Sequence, residues 1–103
     1  MSDFRTVARV DEVPDGSLKS VQIEGTSIVL ANSGGRIYAL QDRCSHEEYP
    51  LSAGELSNGE VTCVLHGARF DLATGAPRAL PAVRPVRTYE VRVEDGEIQV
   101  RAS

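Results

Sequence analysis

Every cysteine and histidine of the chain lies between Cys44 and His66, in the pattern C-x-H-x16-C-x2-H. Cys44 and His46 form one pair, Cys63 and His66 the other, each with one thiol and one imidazole. A thiolate is a soft anionic ligand and a neutral imidazole a borderline nitrogen ligand, so two such pairs could share one metal centre. Other chemistry fits the same residue types. The thiols could be small buried hydrophobes and the histidines hydrogen-bonded loop residues, with nothing bound. A Cys44–Cys63 disulfide would leave the paired histidines unexplained and is disfavoured in the cytosol. A tetrahedral Cys2His2 zinc site suits the donors, although zinc fingers usually group cysteine with cysteine and histidine with histidine.

Charge concentrates in the same window. The chain carries 15 acidic and 11 basic residues, for a formal charge of −4. From Cys44 through Thr62 there are Glu47, Glu48, Glu55 and Glu60 and no Lys or Arg, so the whole excess lies between the ligand pairs. An acidic balance argues against a nucleic-acid partner, which requires a basic surface. The longest purely aliphatic run, Ile28-Val29-Leu30-Ala31, is far too short to cross a bilayer. The N-terminus, Met-Ser-Asp-Phe-Arg-Thr-Val, lacks the basic-then-apolar layout of a secretory signal. These features predict a soluble, cytoplasmic protein with no membrane partner. With 103 residues, 41% of them hydrophobic, the expectation is one domain over 1–103.

The elements that must position the four ligands read as all-β. Gly25, Gly34-Gly35, Asn58-Gly59, Gly75 and Asp95-Gly96 punctuate short apolar segments. Val21 and Ile23 alternate with polar neighbours, Glu24-Gly25 turns the chain into Ser27–Leu30, and Gly34-Gly35 precedes a strand over 36–41. Tyr89, Val91 and Val93 keep a period of two up to Asp95-Gly96, a hairpin signal, and Ile98 and Val100 resume it. The best helix candidate is a single turn, with Asp11 capping Glu12-Val13 before Pro14. Five prolines, at 14, 50, 77, 81 and 85, suit edges and loops. A small antiparallel β-sandwich or barrel follows. Cys44-Ser45-His46 then leaves the end of strand 36–41, and Val61–Val64 ends a strand from which Leu65-His66-Gly67 turns away. Two loops would thus each offer a thiolate and an imidazole.

The pattern C-x-H…C-x2-H, together with His66-Gly67-Ala68-Arg69-Phe70-Asp71 and Thr74-Gly75, resembles the signature of Rieske [2Fe–2S] proteins. The resemblance covers essentially the whole chain and is strongest to the soluble Rieske ferredoxins of bacterial ring-hydroxylating dioxygenases. It implies a Rieske fold, a small antiparallel β-sandwich with a cluster-binding subdomain of two ligand loops, at about 42–82. It also implies one [2Fe–2S] cluster, with Cys44 and Cys63 on the inner iron and His46 and His66 on the outer, solvent-facing one. Gly67 would let backbone amides approach the cluster, and Pro81 falls where the family has a third covering loop.

The function implied is that of an electron carrier rather than an enzyme. It would take electrons from an NAD(P)H-dependent flavoprotein reductase and pass them to a terminal Rieske non-heme iron oxygenase in aromatic hydrocarbon catabolism. Glu47, Glu48 and Glu55 would steer a basic partner. Other classes remain: a small subunit of an NADH-dependent nitrite reductase, or a zinc-stabilised interaction module. Two neutral imidazoles in place of thiolates lower the charge the added electron must meet, which raises the potential above that of four-cysteine clusters. Within the Rieske range this sequence belongs at the low end. Tyr49 and Leu65 stand where high-potential members carry a cysteine bridge, and Ala68 stands where they carry a hydroxyl donor.

Overall fold

In the computed structural model, residues 4–43, 50–63, 67–79 and 84–101 are described. Eleven short strands among them form three antiparallel sheets. The first sheet has the order β1-β11-β10, from Phe4–Arg9, Glu97–Arg101 and Val91–Glu94. The second is β2-β3-β4-β9, from Leu18–Ile23, Thr26–Ser33, Arg36–Gln41 and Thr88–Tyr89. The third is β5-β6-β7-β8, from Glu55–Ser57, Glu60–Thr62, Arg69–Asp71 and Pro77–Ala79. Among the described residues no helix is long and apolar enough to cross a membrane.

The all-β expectation holds, but the layering is richer than one sandwich. β3 explains why. Its run Ile28-Val29-Leu30-Ala31 has no polar alternation, and all four side chains are buried. Ile28 and Leu30 join a core with Ala8, Ile98 and Val100 of the first sheet. Val29 and Ala31 join a second core with Val61 and Phe70 of the third, and with Ala68 just before β7. A strand covered on both faces needs apolar residues at every position. The middle sheet is therefore shared by two cores.

Turn chemistry sets the strand pairings. Asn58-Gly59 joins β5 to β6 and Asp95-Gly96 joins β10 to β11, each with positive φ at both residues (50° and 76°; 50° and 77°). That conformation gives a two-residue hairpin the right-handed twist of its strands. The expected turn before Pro14 is a 3-10 turn at Val10–Glu12, with a different cap from the one expected. Asp11 lies inside it, and the Glu12 carboxylate accepts from the Arg9 N–H at 2.7 Å. The alternation through Tyr89, Val91 and Val93 also hides a change of sheet. Tyr89 pairs with Ala39 in the second sheet, whereas Val91 pairs with Val100 in the first.

Candidate metal centre

The register of the third sheet determines where the described residues flanking the ligand segments lie. Glu55 pairs with Thr62, Thr62 with Arg69, and Arg69 with Ala79, so these four residues line one end of the sheet. Cys63 follows Thr62 at that end. Gly67 and Ala68 precede β7 at the same end, Ala79 ends β8 there, and Pro50–Gly54 leads into β5 there. The opposite end carries Asn58-Gly59 and the Asp71–Gly75 turn. Among the described residues, those that flank the expected ligand segments therefore meet one edge of one sheet.

Of the four expected ligands, Cys63 is described. Its residue is fully buried in the core shared by the second and third sheets. Its N–H donates to the Ala68 carbonyl at 2.7 Å, closing the neck of the second ligand segment one step beyond the β6–β7 ladder. Cys44, His46 and His66 lie outside the described residues, as do Glu47, Glu48, Tyr49, Leu65 and Pro81. Among the described residues no group of three or more His, Cys, Asp or Glu is gathered to hold a metal ion.

The first ligand segment begins and ends differently. The buried Asp42 carboxylate accepts from the Ser52 N–H at 2.7 Å and from the Ser52 hydroxyl at 2.8 Å. The Asp42 N–H donates to Ser27 and the Gln41 N–H to Arg87, at 3.1 and 2.8 Å. Leu51, fully buried, anchors the return in the same core as Cys63. Neither Asp42 nor Ser52 stood out in the sequence, because a contact between single polar residues ten apart leaves no periodic trace.

Two glycines shape this end of the sheet. Gly67, expected to admit backbone to the centre, has φ +74°, and a Cβ there would meet no atom within 4 Å. Its left-handed backbone is reason enough for glycine. Gly54 is the tighter position, since a Cβ there would collide with the Thr62 carbonyl, next to Cys63.

At the far end, the Asp71 carboxylate accepts from the Thr74 hydroxyl and the Thr74 N–H, both at 2.9 Å. The Thr74 hydroxyl is the main reason its pKa lies below the ordinary 3.8, and Arg78 adds to the effect. Of the four glutamates between the ligand pairs, Glu55 is exposed at the ligand end, and Glu60 faces Arg69 at 3.6 Å.

The donor chemistry and this frame suit a binuclear iron–sulfur centre. The buried Cys63 thiol could bind the inner iron, and the described flanks of the ligand segments meet the same edge. The comparisons agree. The Rieske [2Fe-2S] domain model matches residues 3–90. The chain is 42% identical over 98 residues to the 3-phenylpropionate/cinnamic acid dioxygenase ferredoxin subunit of Photorhabdus laumondii, covering 94% of this chain and 92% of that protein. The ferredoxin of carbazole 1,9a-dioxygenase from Nocardioides aromaticivorans IC177 superposes with TM-score 0.93 at 37% identity, over 97% of this chain and 98% of that one. The ferredoxin chain in a complex of reduced oxygenase and oxidized ferredoxin of carbazole 1,9a-dioxygenase gives 0.91 at 28% identity, over 98% and 94%. A Rieske-type [2Fe–2S] cluster thus replaces the zinc and ligand-free alternatives. With its motif, its nearly all-β frame and its relatives all in agreement, the chain belongs to the Rieske [2Fe–2S] domain family.

Proposed function

We propose that the chain is the ferredoxin component of an aromatic-ring dioxygenase system, one Rieske domain over 1–103 with its cluster-binding region at about 42–82. When bound, the [2Fe–2S] centre supplies a one-electron couple. Cys44 and Cys63 would hold the inner iron, and His46 and His66 the outer one. Burial of Cys63 would put the thiolate side toward the core and leave the imidazole side for exchange with protein partners. The chain takes its electron from an NAD(P)H-dependent flavoprotein reductase and passes it to a terminal Rieske non-heme iron oxygenase, which carries out the ring hydroxylation.

The observation that supports this reading is the burial of Cys63 at the Glu55–Thr62–Arg69–Ala79 end of one sheet, where the described residues flanking the ligand segments also lie. The chain resembles both a relative named for phenylpropionate, by sequence, and one named for carbazole, by sequence and fold. A carrier that meets only protein partners has no need to match the compound its oxygenase attacks. Dioxygenase ferredoxins among the relatives favour this system over a nitrite reductase subunit.

A direct test mixes anaerobically reduced protein with the oxidised terminal oxygenase of a 3-phenylpropionate/cinnamic acid system. The expected result is uptake of one electron per chain and its transfer to the oxygenase, with no aromatic product formed by the chain alone. A chain that accepts no electron, or that hydroxylates by itself, contradicts the proposal.

A further inference from the structure

The two ligand segments are closed at their necks by different means. Segment 64–66 is held by backbone, through the Thr62–Arg69 pairing and the Cys63 N–H on the Ala68 carbonyl. Segment 44–49 has no such ladder among the described residues. It leaves from β4 of the middle sheet and returns at the 3-10 turn Leu51–Ala53, which touches β2 and β3 of the middle sheet and puts Leu51 into the core between the second and third sheets. Among the described residues, one side chain ties the two ends together by hydrogen bonds.

That side chain is Asp42. The residue is 8% exposed, and both carboxylate oxygens are engaged: Oδ1 with the Ser52 N–H and Oδ2 with the Ser52 hydroxyl. Its own N–H on Ser27 fixes it to the middle sheet. A carboxylate suits the task because its two oxygens accept from two donors of one residue at once, and ionic acceptors make the stronger hydrogen bonds. No other residue type of that length offers two acceptors and no donor.

We propose that Asp42 is a positioning residue for the first ligand pair. By clasping Ser52 it fixes the separation of the two ends of 44–49, and so presents Cys44 and His46 together to the centre completed by Cys63 and His66. The inference rests on the ligand assignment given under Proposed function. Asp42 does not touch the irons. It acts through the chain it tethers, as outer-sphere partners of metal sites do elsewhere.

The test compares release of the bound centre from full-length holoprotein, followed by loss of visible absorbance under excess chelator, with thermal unfolding measured alongside. Wild type, Asp42→Ala, Asp42→Asn, Ser52→Ala and Thr74→Ala are used. Asp42→Ala is expected to speed release about tenfold, and Ser52→Ala about threefold, since the Ser52 N–H still reaches Asp42. Asp42→Asn should stay within about threefold of wild type, its amide oxygen accepting from the Ser52 N–H while its NH2 donates to the hydroxyl. Thr74→Ala, at the far end of the third sheet, should lower thermal stability and leave release unchanged.

Release from Asp42→Ala at the wild-type rate overturns the proposal. Equal acceleration by Thr74→Ala also overturns it, since Asp42 would then act only through general stability. Should Asp42→Ala fail to fold, Ser52→Ala decides: a wild-type rate is contrary, a faster one supports. Wild-type protein purified without iron or sulfide would instead refute the ligand assignment, before any variant is made.

Discussion

The Cys63 N–H lies 2.7 Å from the Ala68 carbonyl oxygen, and both residues are fully buried. The neck of the second ligand segment is therefore part of the core. At Ala68 this neck presents a methyl group and no hydroxyl. With no donor there and no cysteine at 49 or 65, little favours the more negative, reduced form of the centre. The midpoint potential is expected below about 0 mV and nearer −150 mV. Protein-film voltammetry checks this, and a value above about +150 mV contradicts it. Ala68→Ser should move the potential upward.

The two glycines at the ligand end should respond in opposite order to their prominence in the sequence. Gly54→Ala pushes a methyl into the Thr62 carbonyl, a backbone atom that cannot yield cheaply. Its expected cost is about 3 kcal/mol, the upper end for overpacking. Gly67→Ala meets open space and incurs only the left-handed backbone, about 1 kcal/mol. Urea denaturation of the two variants checks the ranking, and a costlier Gly67→Ala would contradict it.

Acid stability should depend on the Asp71–Thr74 turn. The Thr74 hydroxyl and N–H hold the folded-state pKa of Asp71 below its ordinary value. An unfolded chain then takes up this proton first as pH falls. The stabilisation is complete above the unfolded value of 3.8 and fades as pH drops through the lower folded one. Thr74→Ala is expected to cost about 1 kcal/mol at neutral pH. The gap to wild type should narrow below pH 3.8, and denaturation curves across that range would show it. A gap independent of pH would exclude the ionised carboxylate as its source.

Salt should slow reduction by a flavoprotein partner. Glu55 is exposed at the ligand end, while the charge of Glu60 is offset by Arg69 at 3.6 Å. Glu47 and Glu48 stand between His46 and Pro50 in sequence, and no Lys or Arg occurs from Cys44 through Thr62. Stopped-flow rates are expected to fall several-fold as ionic strength rises from about 0.05 to 0.3 M. A flat profile would remove electrostatic steering.

Sequence and structure agree where the signal is local. Asn58-Gly59 and Asp95-Gly96 marked hairpins because only a few residues tolerate positive φ at both turn positions. The strand at 36–41 also lies where the pattern put it, whereas the strand expected to end over Val61–Val64 already ends at Thr62, with Val64 outside the described residues. The three-layer arrangement was written in Ile28-Val29-Leu30-Ala31, but a short apolar run does not say how many sheets cover it. The change of sheet between Tyr89 and Val91 left no trace, because both sheets demand the same period of two. The proposed ligand set rests on residue type, spacing and the Rieske resemblance. What anchors it, through Asp42, Ser52 and Gly54, is set by tertiary contact alone.

Low-temperature pulsed EPR of the dithionite-reduced protein tests the central claim most directly, since it reports which nuclei couple to the unpaired spin. Two imidazole nitrogens should couple to it in wild type, and His46→Cys and His66→Cys should each remove one. A reduced centre without nitrogen coupling, or protein that stays colourless after anaerobic reconstitution with iron and sulfide, would contradict the assignment of Cys44, His46, Cys63 and His66.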